Sequence, residues 1–152
     1  MTIKTINGEP YLSALPVKEF EMLYKNRDVK IDVVINSDMP FIKSIQSKAC
    51  DISVSASAEK SFSMELFGLK ISFNAYDKIL QCLDKSAPLK CENGTVDLRI
   101  IFDTLYTEIF ADFGTVFMGM TYIADSNLNS LSIESRNATI HNIRVSELNS
   151  IH

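Results

Sequence analysis

From Val29 onward, apolar residues return at every second position. Val29, Ile31, Val33 and Ile35 alternate with Lys30, Asp32 and Val34. Phe62, Met64 and Leu66 alternate with Ser61, Ser63 and Glu65, and Ile71, Phe73 and Ala75 with Ser72 and Asn74. Val96, Leu98, Ile100 and Phe102 alternate with Asp97, Arg99, Ile101 and Asp103. A period of two sends one row of side chains to a core and the other outward, so each run predicts a strand. Turn-forming clusters separate the runs at Asn36-Ser37-Asp38, Asn93-Gly94, Asp112-Phe113-Gly114 and Ser126-Asn127. Many short strands between regular turns predict an all-β fold, a two-sheet antiparallel sandwich; a closed barrel fits the same pattern.

The first residues have a different rhythm. Ile3 and Ile6, a turn at Asn7-Gly8, then Tyr11 and Leu12 predict a short hairpin over residues 1–15. Pro16 suits the first turn of a helix. Val17, Phe20, Leu23 and Tyr24 then share one face at helical spacing, with Lys18, Glu19, Glu21 and Lys25 on the other. The expected organisation is a hairpin at 1–15, a short linker helix within 16–28 and a sandwich at 29–152.

A chain of 152 residues suits one domain. At that length a core forms without disulfides or metal. The net charge is −4, with both signs interspersed and no basic stripe, so no nucleic-acid partner is expected. No apolar run reaches the roughly 18 residues of a membrane helix; the longest candidate, Phe113 to Ala124, is shorter and carries two glycines. The three cysteines, Cys50, Cys82 and Cys91, match no zinc spacing and read as small apolar strand residues. A Cys82–Cys91 bridge is the alternative in an oxidising compartment. Asn93-Gly94-Thr95 and Asn137-Ala138-Thr139 have the form of glycosylation sequons and are read as turns.

One stretch carries more than rhythm. Leu98 to Gly114 is an apolar strand ending in Asp103, a tight turn, then Glu108, Ile109 and Phe110, then a second turn closed by Gly114. Asp103 can bond nearby backbone N–H groups, Gly114 can take a positive φ, and Phe110 is a large strand residue expected to fill the core. Glu108 is expected to point the same way as Tyr106 and Phe110, and a carboxylate there needs hydrogen-bond donors. This order of residues resembles the C-terminal domain of glycoside hydrolase family 32. Ser86-Ala87-Pro88-Leu89, Ser130-Leu131-Ser132-Ile133 and the closing run Ile140 to Leu148 agree with it, as does Leu15-Pro16-Val17-Lys18-Glu19-Phe20 as a linker. Two positions depart from the pattern. Asp112-Phe113 stands where Asn-Asp is usual, and His152 stands near the place of a Trp.

The resemblance implies a concanavalin A-like sandwich that follows a catalytic β-propeller in a levanase, invertase or fructan β-fructosidase. It implies that residues 1–15 are the last hairpin of that propeller. It also implies a bacterial protein that is secreted, periplasmic or held at the cell surface. Such enzymes are retaining glycosidases with an acidic pair about 5–5.5 Å apart. Their acids sit in Asn-Asp-Pro, Arg-Asp-Pro and Glu-Cys segments. Here there is no Asn-Asp-Pro, Arg27-Asp28 is followed by Val29, and Cys91-Glu92 has the reverse order. No catalytic, cofactor-binding or metal-binding residue is therefore expected in this chain, and His141 reads as a packed or surface residue. The expected role is to stabilise or dock the propeller, with homodimerisation as a second contact. The alternative is a lectin-like module for fructan. That reading would use Tyr76, Tyr106 and Tyr122, since the chain has no Trp.

Overall fold

A computed structural model describes residues 2–6, 8–16, 18–91 and 94–149; the side chains of Lys4, Ile6 and Tyr11 fall outside that set. Asn7, Val17, Glu92, Asn93 and His152, named above, lie outside it too. The chain is a two-sheet antiparallel sandwich with a small hairpin before it. The hairpin pairs β1 (Thr2–Ile6) with β2 (Glu9–Ser13). Ile3 and Leu12 on it are exposed.

Twelve further strands follow. They are β3 (Tyr24–Asn36), β4 (Phe41–Ser44), β5 (Cys50–Ala58), β6 (Ser61–Leu66), β7 (Leu69–Asn74) and β8 (Ile79–Cys82). The rest are β9 (Lys85–Pro88), β10 (Val96–Phe102), β11 (Tyr106–Ala111), β12 (Val116–Thr121), β13 (Ser130–Glu134) and β14 (Asn137–Leu148). One sheet has the order β12-β11-β10-β5-β14-β3, the other β4-β13-β6-β7-β8-β9. The predicted alternation explains the core. Phe62, Met64 and Leu66 of β6 belong with Leu98, Ile100 and Phe102 of β10 to one buried cluster. The edge-to-face contact of Phe67 and Phe102, with ring centroids 5.2 Å apart, joins the two layers.

The linker helix is shorter and tighter than its spacing predicts. It is a 3-10 helix over Lys18–Leu23 with no buried residue. The sandwich then starts at Tyr24, not Val29, because β3 pairs with β14 from Tyr24↔Leu148 onward. A lone helix of this length is unstable in water, so the ladder to β14 takes these residues instead.

The phase of β3 also differs from the sequence reading. Val33 and Ile35 turn inward, but Val29 and Ile31 are exposed. Between the pairs Ile140↔Val33 and Asn142↔Ile31, Asp32 and His141 are left without a register partner, and against β5 the register of β14 shifts between Ile140 and Asn142. Asp32 holds φ 52°, a left-handed conformation that Asp tolerates better than most residues. This irregularity exchanges the two faces of the strand. It places Val29 and Ile31 on the outer surface of the sheet.

The three cysteines are free and buried, so Cys82 and Cys91 are separate core residues. Burial pushes the Cys82 and Cys91 thiols up to about 11, and that of Cys50 higher still. Asn137 opens β14, with its amide N–H bonded to Ser135 Oγ.

Candidate functional site: the outer face of the first sheet

The two sheets present different outer faces. On the second sheet the central strands β6, β7 and β8 show Ser63, Glu65, Lys70, Ser72 and Gln81. Glu65 lies opposite Lys70 and Ser63 opposite Ser72. Such a row is at home in water. The first sheet is unlike it. Val29, Ile31 and Val34 of β3 are exposed along one side, and Phe113 and Phe117 along the other. Between them β5 contributes Ser53, Val54 and Ser55 to the floor. Small residues flanked by bulky ones make a trough, and a groove of about 540 Å³ lies there.

Charged residues of this face sit on β3, β5, β10, β11 and β14. Arg99 donates to both oxygens of Asp51, from Nε at 3.1 Å and from an Nη at 2.6 Å. Asp51 is 1% exposed, and Tyr24 Oη also donates to it at 2.5 Å. This planar, bidentate pairing suits Arg better than Lys. Burial, and then the hydrogen bond to Asp51, raises the Tyr24 phenol above its ordinary value of 10.0. Arg27 pairs with Glu21 at 3.5 Å. Arg144 differs from both. It donates to Ser53 Oγ at 3.3 Å, and no carboxylate among the described residues forms an ion pair with it.

The linker is fastened to this same face. Ser13 Oγ donates to the Phe113 carbonyl at 2.5 Å, and the Ala14 N–H to the Gly114 carbonyl at 2.9 Å. Leu15 lines the groove. After the 3-10 helix, the Asn149 N–H closes on the Leu23 carbonyl at 2.8 Å. Phe20 and Leu23 sit with Ile101, Glu108 and Leu148 around a neighbouring hollow. The hairpin is thus strapped across the sheet at several points rather than tethered loosely.

Gly114 is central to the strap. Its φ is +86°, as its place in the turn requires. A Cβ there would collide with the Ala14 carbonyl and stand 2.8 Å from Ser13 Oγ. Gly114→Ala is expected to cost about 1–2 kcal/mol from the left-handed backbone alone. Because it also pushes the linker off, tryptic cutting after Lys18 should accelerate, whereas a cutting rate unchanged from the parent chain would contradict this account of the strap.

The motif residues fall as follows. Asp103 makes the expected turn: its Oδ1 accepts from the Thr104 N–H at 2.7 Å, and its own N–H donates to the Tyr106 carbonyl at 2.9 Å. Glu108 is half-buried and shares the outer face with Tyr106 and Phe110, opposite Ile101 and Gly119. Phe110 does not fill the sandwich core. It is buried on the outer face against Phe117, with centroids 5.2 Å apart, and Ile109 and Ala111 are the core residues of β11. Odd and even positions of β11 therefore serve opposite faces, and Phe110 belongs to the groove.

The three tyrosines are not brought together. Tyr76 is 92% exposed in the β7–β8 turn of the second sheet. Tyr106 lies on the first sheet's outer face, over Gly119. Tyr122 packs edge-on to Phe102 and donates to the Phe67 carbonyl at 3.3 Å.

The sequence reading missed Asp51, Arg144 and the β5 serines. A signal was present: Asp51, Ser53, Ser55 and Ser57 alternate with Ile52, Val54 and Ala56. That run has the period of a strand with one small polar row. His141 is an exposed outer-face residue bonded to Ser57 Oγ at 2.9 Å.

The carboxylates of this face are divided between the groove and the neighbouring hollow, which is lined by Asp103 and Glu108. The lining of the groove contains a single carboxylate, Asp97, where a retaining glycosidase needs two. Among the described residues no group of three His, Cys, Asp or Glu could hold a metal ion.

No protein-family model matches the sequence, and no curated protein matches it. Solved structures do match. The exo-inulinase of Aspergillus awamori superposes with a TM-score of 0.78 at 14% identity, over 99% of this chain and 35% of that one. The sucrose-6-phosphate hydrolase of Lactobacillus gasseri gives 0.73 at 19%, over 99% of this chain and 33% of that one. The galectin LEC-6 of Caenorhabditis elegans gives 0.59 at 12%, over 78% of this chain and 96% of that one. The chain thus spans about a third of the length of the two hydrolases. Its fold is an all-β sandwich that fits the C-terminal sandwich domain of family 32 glycoside hydrolases.

Proposed function

We propose that this chain is the non-catalytic C-terminal module of a fructan- or sucrose-cleaving β-fructosidase, where it braces the catalytic propeller. The observation that carries this reading is the match in length. Nearly all of the chain, hairpin included, superposes on about a third of an exo-inulinase. Residues 1–15 then belong to the propeller as its last hairpin, and the pinned linker holds the two units in a fixed relation.

The test compares the pure chain with the longer polypeptide that carries it. The chain alone should release no fructose from sucrose, levan or inulin, and the longer polypeptide should release it. Fructose release by the chain alone would overturn the reading.

A second reading is a fructan-binding module, favoured by the superposition on nearly all of a galectin. It predicts millimolar or tighter binding of levan or inulin by calorimetry, lost in Tyr76→Ala or Tyr106→Ala. No heat of binding is expected on the first reading.

A further inference from the structure

The two sheets end in four edge strands, and three of these are guarded against pairing with another chain. β3 carries Lys25, Arg27, Asp28 and Lys30 along its length and takes a left-handed backbone at Asp32. β4 has four residues, follows Pro40 and carries Lys43. β9 has four residues, begins at Lys85 and ends at Pro88. Charge, proline, short length and an irregular backbone are the usual means of blocking an edge. β12 has none of them. Its six residues, Val116-Phe117-Met118-Gly119-Met120-Thr121, include no charge and no proline. Among the described residues β11 is the one strand hydrogen-bonded to it, so alternate backbone N–H and C=O groups point away from the sheet. Apolar side chains frame the edge: Phe117 is half exposed, and Leu105 and Ile123 are exposed at its end.

We infer that the free edge of β12 receives the β12 of a second copy of this chain, in antiparallel pairing about a twofold axis, so that the first sheet continues from one copy into the other. The residues of the strand select this occupant. An uncharged strand meets its own copy without like charges in opposition. Opposed side chains of an antiparallel pair share a face, and this restricts the register. With the axis at Met118, the buried Met118 meets its own counterpart on the core side. Phe117, on the outer side, then lies opposite the partner's Gly119. Gly119 suits that place. Tyr106 and Phe117 already lie close over it, since an added Cβ would collide with the Tyr106 hydroxyl. A second Phe117 arriving from across the axis completes an aromatic cover over a bare stretch of strand, a pairing that stabilises sheets where glycine weakens them. The inference stands apart from the module reading, because pairing at the edge leaves the outer face of the sheet uncovered.

Sedimentation and amide hydrogen exchange on the unaltered chain test this together. The sedimenting mass should rise with concentration toward twice that of the monomer. Between the dilute and the concentrated chain, exchange in residues 116–121 should slow about tenfold, as backbone groups of the free edge gain partners. Exchange in β3, β4 and β9 should be the same at both concentrations. Phe117→Lys sets like charges on either side of the axis and should raise the dissociation constant of the dimer at least about tenfold. Val29→Lys, on the far strand of the same outer face, should leave that constant unchanged. Thermal unfolding checks that Phe117→Lys remains folded, and the exchange measurement needs no variant. A mass that stays monomeric up to about 1 mM, the weak end of specific association, would overturn the inference. So would a dimer in which residues 116–121 exchange as fast as in the monomer, which moves the contact to another surface. A dimer weakened by Val29→Lys and not by Phe117→Lys would overturn it in favour of association through the outer face.

Discussion

Asp51→Ala should destabilise the chain by about 3 kcal/mol, the low end of what breaking a buried ion pair from one side costs. The carboxylate is 1% exposed and accepts three hydrogen bonds, two from Arg99 and one from Tyr24. Without it the guanidinium loses its counter-charge and the phenol its acceptor. The low end applies because the Arg99 side chain keeps 18% exposure and can recover some water. For a domain of this size that corresponds to a fall in Tm of about 6–12 °C. Removing both charges should be milder: Asp51→Ala with Arg99→Met leaves no buried ion without a partner. Urea denaturation of the two variants measures the difference. A single variant within about 1 kcal/mol of the parent would mean the pair is ornamental.

Phe67→Ala should cost about 3–5 kcal/mol, the range for emptying a fully buried aromatic site. Phe67 is 0% exposed, stacks edge-on with Phe102 and has Lys48 Nζ 4.1 Å above its ring. Its backbone is unusual for so large a residue. With φ 50° it forms, with Gly68 at φ 91°, the two-residue turn between β6 and β7. Two positive φ values in succession match the twist of the strands they join. Phe67 therefore accepts a left-handed backbone in return for a place between the sheets. This gives an ordering opposite to the usual one. Phe67→Gly should be milder than Phe67→Ala by about 1 kcal/mol, because glycine is free of the left-handed penalty. Thermal unfolding of both variants decides it, and a less stable glycine variant would refute the backbone argument.

Most of the sandwich can be read from the sequence because a period of two is local. Phe62-Met64-Leu66 and Val96-Leu98-Ile100-Phe102 enter the core as their spacing says. Local spacing fails where a distant strand decides. Val29 and Ile31 have the alternation of core residues, yet they turn outward where the register of β14 shifts against β5 between Ile140 and Asn142, more than a hundred positions away. The helical spacing of Phe20, Leu23 and Tyr24 is real, but Tyr24 goes to β14 and Asp51. Phe110 is a large apolar residue in a strand, and nothing local says which face it takes. The groove combines residues of β3, β5, β10, β11 and β14, so no contiguous motif announces it. Asp103 and Gly114, whose roles are confined to turns, behave as their residue types require.

The place of β14 has a consequence for synthesis. This strand, Asn137–Leu148, lies between β5 and the edge strand β3. While a ribosome is still making it, β3 and β5 are both complete and both lack a neighbour. Each is then an open template for the wrong chain. The nascent polypeptide is most vulnerable just before this segment emerges, and a stop codon ahead of Asn137 would leave that state permanent.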